Sequence, residues 1–265
     1  MQIENLRITF LGTGTSHGVP IIGCDCETCR STDPRDTRLR PSIFVETGGA
    51  HVLVDAGPDL RAQALGYGIR RVDAILFTHS HADHILGIDD VRRFNALKKG
   101  PMPCHADAQT LGDIRKTFHY VFDAATPKGG GLPSLELLPI EGPLRIGDLD
   151  VQPIPLWHGS RAILGFRFGR FAYLTDCNGL ADEAWGLLEG LDAVVLDALR
   201  EQPHPTHFSL SEAVEAARRI GARRTFFTHM CHHLRHEPTN ARLPAGMALA
   251  HDGLVLESAH DRPLS

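Results

Sequence analysis

The chain has 265 residues, is 42% hydrophobic and 22% charged, and carries a net charge of −5. That composition is ordinary for a globular chain and excludes a disordered or fibrous one. No long basic block supports wrapping nucleic acid, and no apolar run approaches the ~20 residues of a membrane-spanning helix.

Met1-Gln2-Ile3-Glu4-Asn5 lacks a basic start followed by an apolar run, so no signal peptide is expected and the expected compartment is the cytoplasm. Residues 6–11 read as a strand that runs into Gly12-Thr13-Gly14-Thr15-Ser16-His17-Gly18. This segment is glycine-rich without being a Walker motif. Its backbone can approach a site, with His17 at the surface or behind the ligands. Cys24-Asp25-Cys26-Glu27-Thr28-Cys29 then places three of the six cysteines within six residues. Under reducing conditions so tight a thiol cluster reads as metal binding, not as a disulfide. Three thiolates leave a tetrahedral zinc one ligand short. His232 is the leading candidate for the fourth, with Cys231 and His233 as substitutes. Residues 30–41, rich in Arg and Asp, read as a loop.

Strands are expected at 42–47, 51–55 and 73–77, with a helix at 59–65. Asp55, at the end of one strand, either orients a ligand histidine or caps the turn Asp55-Ala56-Gly57-Pro58. The run Ala74-Ile75-Leu76-Phe77 leads into Thr78-His79-Ser80-His81-Ala82-Asp83-His84, which packs four metal-competent side chains into six residues. His79 and His81 are two apart, so an extended backbone points both rings to one side. Asp83 and His84 diverge unless a helix starts there. That geometry suits two neighbouring metals, with His79 and His81 on one and Asp83 and His84 on the other. Imidazole with carboxylate favours Zn, Mn or Fe over Ca or Mg.

Helices at 88–97 and 108–122 flank a short strand at 102–105; Leu111, Ile114, Phe118 and Val121 follow helical spacing and belong to the core. Residues 124–134, with Pro127 and Gly129-Gly130-Gly131, read as a loop. Further strands are expected at 135–138, 150–157, 163–168, 171–175 and 193–196. Ser209, with Glu212 three residues on, predicts a helix through Ile220. Residues 233–246 read as a loop, and the tail from Ser258 as frayed. Three of the apolar runs end at His158, Asp176 and His229. Donors at strand carboxyl ends project into the crevice of a layered α/β fold, so together they predict one convergent site. Because the donors run from 79 to 229, residues 1–265 read as one domain.

On these residues the chain resembles the metallo-β-lactamase-fold hydrolases. His79-Ser80-His81-Ala82-Asp83-His84 matches their signature His-x-His-x-Asp-His, and His158, Asp176 and His229 follow in the family's order. The resemblance implies a four-layered αβ/βα sandwich, where the residues alone give only α/β. It implies two divalent ions, Zn or Mn with Fe as a further option: His79, His81 and His158 on one, Asp83, His84 and His229 on the other, and Asp176 between them. In flavin-linked di-iron relatives a Glu usually replaces the second His of the signature; here that residue is His81, which argues for hydrolysis.

Gly18-Val19-Pro20, Gly23-Cys24-x-Cys26-x-x-Cys29 and Thr228-His229-x-x-His232 narrow the resemblance to one branch. It contains the 5-phosphoribosyl 1,2-cyclic phosphate phosphodiesterase of the carbon–phosphorus lyase pathway. In that branch three thiolates and the second His of the last motif hold a structural zinc, and the position matched by His207 serves as general acid. The expected function is therefore a cytoplasmic phosphodiesterase of small cyclic phosphates or nucleotide-like diesters, with His207, Asp83 and Asp55 in its chemistry. No nucleic-acid or membrane partner is expected, and a homodimer is left open. The competing readings are a transfer-RNA 3′-end nuclease, a lactonase, thioesterase or β-lactamase, and a non-catalytic zinc-binding protein related to quinone-cofactor biosynthesis. The first carries a basic arm with no clear counterpart here, the Cys-rich insert disfavours the second group, and the third typically lacks the full ligand set.

Overall fold

The computed structural model describes residues 4–127 and 131–260, so Gly129 and Gly130 of the expected loop lie outside the described residues. The first half runs β1 (Glu4–Gly12), β2 (Ser42–Glu46), β3 (His51–Val54), α1 (Leu60–Gly66), β4 (Ala74–Leu76), α2 (Ala82–Ile85), α3 (Val91–Lys98), β5 (Met102–Ala106), α4 (Ala108–Thr117), α5 (His119–Phe122) and β6 (Leu135–Pro139). The second half runs β7 (Leu144–Ile146), β8 (Leu149–His158), β9 (Arg161–Phe168), β10 (Phe171–Leu174), β11 (Gly179–Leu180), α6 (Ala184–Leu187), β12 (Ala193–Asp197), α7 (Leu210–Ile220), β13 (Arg224–Thr228), α8 (His236–Asn240), β14 (Met247–Leu249) and β15 (Val255–His260).

Two sheets result. One has the order β15-β1-β2-β3-β4-β5-β6; the other has the order β11-β8-β9-β10-β12-β13-β14, with β7 beside β8. Each is antiparallel at one end and parallel at the other, where β3-β4-β5-β6 and β10-β12-β13-β14 pair in parallel. The strand alternation assigns the layers. Val52 and Val54 face Phe166, Tyr173 and Val195 of the second sheet, whereas Leu53 between them packs with Leu60, Phe94 and Ile114 of the helices. In the second sheet Val195 faces inward, while Val194 and Leu196 meet Leu210, Ala213 and Ala217 of α7. Strands covered on both faces are apolar throughout. Helices, sheet, sheet, helices: the order is the four-layered αβ/βα sandwich of the metallo-β-lactamase fold.

Local signals held for α7, whose cap Ser209 accepts from Glu212 N while the Glu212 side chain accepts from Ser209 N. They failed elsewhere. The helix expected over 108–122 breaks at Phe118, which leaves helical backbone angles and buries its ring. Expected loops contain a 3-10 turn at Pro34–Asp36 and the helix α8. Among the described residues the tail does not fray from Ser258: β15 pairs with β1 as far as Glu4 opposite His260, and residues 261–265 lie outside the described residues.

Candidate metal centre

The carboxyl ends of β3, β4, β8, β10, β12 and β13 converge on one edge of the sandwich, and each delivers donors there. Asp55 follows β3, and His79, His81, Asp83 and His84 follow β4 and enter α2. His158 ends β8, Asp176 follows β10, Asp197 ends β12 and His229 follows β13. Asp55, Asp176 and His229 have left-handed backbones, with φ of 63°, 60° and 60°. For residues with a β-carbon this conformation costs about 1–3 kcal/mol each, so the surroundings must over-determine it. The α2 turn also needs Gly57, where a Cβ would fall 2.0 Å from the Asp83 carbonyl oxygen.

One ligand atom from each of His79, His81, His158 and Asp176 lies within 4.8 Å of the others, and the same holds for Asp83, His84, Asp176 and His229. Asp176 belongs to both groups. Its Oδ2 is 3.2 Å from His79 Nε2, 2.8 Å from His84 Nε2 and 3.4 Å from His229 Nε2. Donors sharing one ion through bonds of about 2.0–2.2 Å are separated by roughly 3.3–3.6 Å at the tetrahedral angle and by roughly 2.8–3.1 Å at a right angle. All these residues are buried except His81, which is exposed. His79 Nε2, Asp83 Oδ2, Asp176 Oδ1 and His229 Nε2 are buried without a hydrogen-bond partner. Buried polar atoms are normally paired, so a cluster of unpaired lone-pair donors facing one another fits a cation.

The electrostatics agree. Burial pushes His79 down to about 3. Burial also opposes charge on His229, yet Asp176, Asp197 and Asp83 raise it to about 9, and His84 rises well above its ordinary value beside Asp83, Asp55 and Asp176. Against their own burial, Asp176 is held below the usual carboxylate range by His229 and His79, and Asp83 by His84 and His229. Ionised carboxylates thus draw positive charge to the centre of the cluster.

Behind these donors, Asp55 is fully buried and accepts from Thr78 N (2.9 Å), Thr78 Oγ1 (2.9 Å) and His84 Nδ1 (2.8 Å). The carboxylate bonds the start of the His79–His84 segment and sets the His84 ring with Nε2 toward Asp176; among the described residues it makes no bond within the turn Asp55-Ala56-Gly57-Pro58. Asp55→Asn is expected to weaken metal affinity about 10- to 100-fold, measured by competition with a chromogenic chelator. Wild-type affinity would contradict that role.

Beyond the main cluster, His207 Nδ1 lies 3.1 Å from Asp176 Oδ1 and 3.2 Å from Asp197 Oδ2, and Asp197, His207 and His229 form a third group of donors. Asp197 is fully buried and also accepts from Phe208 N. The sequence analysis missed it, although Ala193-Val194-Val195-Leu196 ends in Asp197 in the same way as the runs it did single out. His17 is exposed, outside these groups.

Cys24, Cys26, Cys29 and His232 form a separate group, with His232 Nδ1 3.2, 3.5 and 3.5 Å from the three sulfurs. A tetrahedral zinc with Zn–S of about 2.3 Å and Zn–N of about 2.0 Å separates S and N by roughly 3.5 Å. The substitutes are placed elsewhere: His233 is exposed, and buried Cys231 accepts from His233 N. The Cys29 N–H lowers the Cys26 thiol, while burial raises Cys29 to about 11. Cys26→Ser is expected to lower zinc by about one ion per chain and to reduce the melting temperature, because structural zinc contributes folding free energy. Unchanged zinc and melting would make the thiols incidental.

The beta-lactamase superfamily domain model matches residues 50–230. The chain belongs to that family. A solved structure of a diphosphatase from the PhnP family is 45% identical, covers 97% of this chain and 98% of its own, and superposes with a TM-score of 0.90, which places the chain in the PhnP-like branch. The octanoyltransferase of Porphyromonas gingivalis is 36% identical over 252 residues, 94% of this chain and 51% of its own length. A ribonuclease Z of Bradyrhizobium is 47% identical over 142 residues, 51% of this chain and 46% of its own length. The chain thus spans about half the length of the curated relatives it matches. Among the described residues no helix is long and apolar enough to cross a membrane.

Proposed function

We propose that residues 1–265 form one cytoplasmic hydrolytic domain, a phosphodiesterase of small molecules that opens a cyclic phosphate or cleaves a nucleotide-like diester. His79, His81 and His158 would hold one divalent ion and Asp83, His84 and His229 a second, Zn or Mn with Fe as a further option, and Asp176 belongs to both donor groups. Cys24, Cys26, Cys29 and His232 would hold a structural zinc. The observation that carries the reading is His207, whose Nδ1 faces Asp176 at 3.1 Å and Asp197 at 3.2 Å. With Nδ1 bonded to the Asp197 carboxylate, Nε2 is the edge that delivers a proton. An alkoxide leaving a phosphodiester needs such a proton. When bound, the divalent ions lower the pKa of a coordinated water and clamp phosphate oxygens. Asp197 orients the acid, and His158 Nδ1, bonded to Thr206 O at 2.9 Å, ties the His207 loop to a ligand.

A second reading has specific support: the 45% identical relative is a diphosphatase, and a phosphate leaving from a P–O–P linkage needs little protonation. The ribonuclease Z match covers only 51% of this chain and supports a nuclease less. The test is a panel on metal-loaded protein: ribosyl cyclic phosphate, cyclic nucleotides, bis-p-nitrophenyl phosphate, a nucleoside diphosphate ester, a lactone, a β-lactam and precursor transfer RNA. Preference for the cyclic phosphates supports the first reading and preference for the diphosphate the second. Preference for the lactone, β-lactam or RNA contradicts both.

A further inference from the structure

Arg38 is only 1% exposed, although it lies in a stretch whose composition reads as a polar loop. Its Nη1 donates to the Cys231 carbonyl at 2.9 Å and its Nη2 to the Leu234 carbonyl at 2.5 Å. These two carbonyls bracket His232, and the turn they belong to begins at His229. The left-handed backbone of His229, with φ of 60°, needs support from outside. Three backbone bonds supply part of it: Met230 N to Thr13 O (3.0 Å), Thr15 N to Met230 O (3.1 Å) and Cys231 N to Leu199 O (2.9 Å). The guanidinium fork holds the remainder of the turn.

The surroundings of Arg38 serve the same segment. Asp36 Oδ1 lies 3.5 Å from Nη2, offsets its charge and accepts from His236 N at 2.7 Å. The Arg38 backbone exchanges two hydrogen bonds, 2.7 and 2.8 Å, with Val19 at the entrance to the Cys-rich loop. A hydrophobic side chain of similar volume would fill this space without the cost of burying a cation. What the guanidinium adds is two donors in a fixed planar fork.

We propose that Arg38 is a positioning residue that locks the turn from His229 to Leu234, so that His229 serves the His/Asp cluster and His232 the thiols in one fixed geometry. The proposal rests on the ligand assignment made above, and metal analysis of the wild type decides that assignment by itself. Arg38 is decided by comparing Arg38→Met and Arg38→Lys with the wild type. The readouts are amide hydrogen exchange, alkylation of Cys24, Cys26 and Cys29 in the folded protein, and kcat and KM.

In Arg38→Met, exchange over residues 229–236 is expected to quicken by about tenfold or more, with β8, β9 and β10 unchanged. The three thiols should alkylate faster. Displacement of His229 should lower kcat on the order of 100-fold, with KM within about threefold. Arg38→Lys, whose single ammonium cannot reproduce the fork, should fall between Met and wild type. Wild-type exchange and kcat in a folded Arg38→Met variant would overturn the proposal. So would exchange that rises equally across both sheets, which is the signature of a residue serving stability alone. If Arg38→Met does not fold, Arg38→Lys decides: local loosening of 229–236 with reduced kcat supports the fork, and wild-type behaviour overturns it.

Discussion

Asp176→Ala is expected to reduce phosphodiester hydrolysis to background and to leave the protein without its two catalytic ions. The reason is the shared position of one carboxylate: Asp176 Oδ2 sits 2.8 Å from His84 and 3.2 Å from His79, donors of the two different groups. Among the described residues Asp176 is the carboxylate common to both groups: Asp83 belongs to one, Asp197 groups with His207 and His229, and Asp55 bonds His84 Nδ1, on the other side of that ring. Stability should respond through binding. At about 1,000 times Kd, an ion that binds only the folded chain contributes about 4.1 kcal/mol. Added metal should therefore raise the melting temperature of the wild type far more than that of Asp176→Ala. Two catalytic ions per chain in the folded variant would contradict the bridging role.

His207→Ala carries the next largest expected effect, and its size should depend on the substrate. As the leaving-group acid, His207 should be worth roughly 100- to 10,000-fold on a cyclic phosphate with an alkoxide leaving group. The loss should shrink on bis-p-nitrophenyl phosphate, because p-nitrophenolate departs without a proton. Asp197→Asn should show the same substrate dependence in weaker form, since it keeps the His207 ring in place by a poorer acceptor. Equal losses on both substrates would make His207 a substrate-binding residue. Loss of metal along with activity would make it a ligand, as its place in the Asp197-His207-His229 group allows.

The legible parts of the site are those in which chemistry is compressed into few residues. His79 to His84 can be read from spacing alone, because two-residue and adjacent separations fix direction on a strand and at a helix start. His158, Asp176 and His229 are legible only as apolar runs that end in a donor. Their convergence depends on two sheets stacking, and no local signal carries that. Asp197 obeys the same punctuation, but the strand signal at 193–196 stops one residue short of it. Arg38 and Asp36 were invisible for a different reason: their composition reads as solvated loop, and only the fold buries them. The thiol cluster reads as a metal site from spacing, while the choice of His232 among three candidates for the fourth donor depends on the turn after β13, which sets its ring against the sulfurs. In the fold, most long strands are legible but the six-residue β15 is not, and β11 and β14 are two and three residues long and have no periodicity to read.

The most direct test of a dinuclear phosphodiesterase is a metal titration of chelator-stripped protein that still carries its thiol-held zinc, with hydrolysis of a ribosyl cyclic phosphate as readout. The account predicts that activity rises with Zn or Mn until two further ions are bound per chain, that the product is a phosphate monoester, and that Asp176→Ala stays flat throughout. Full hydrolysis before any further ion binds, or two bound ions with no cleavage of any small phosphodiester or diphosphate, would contradict it.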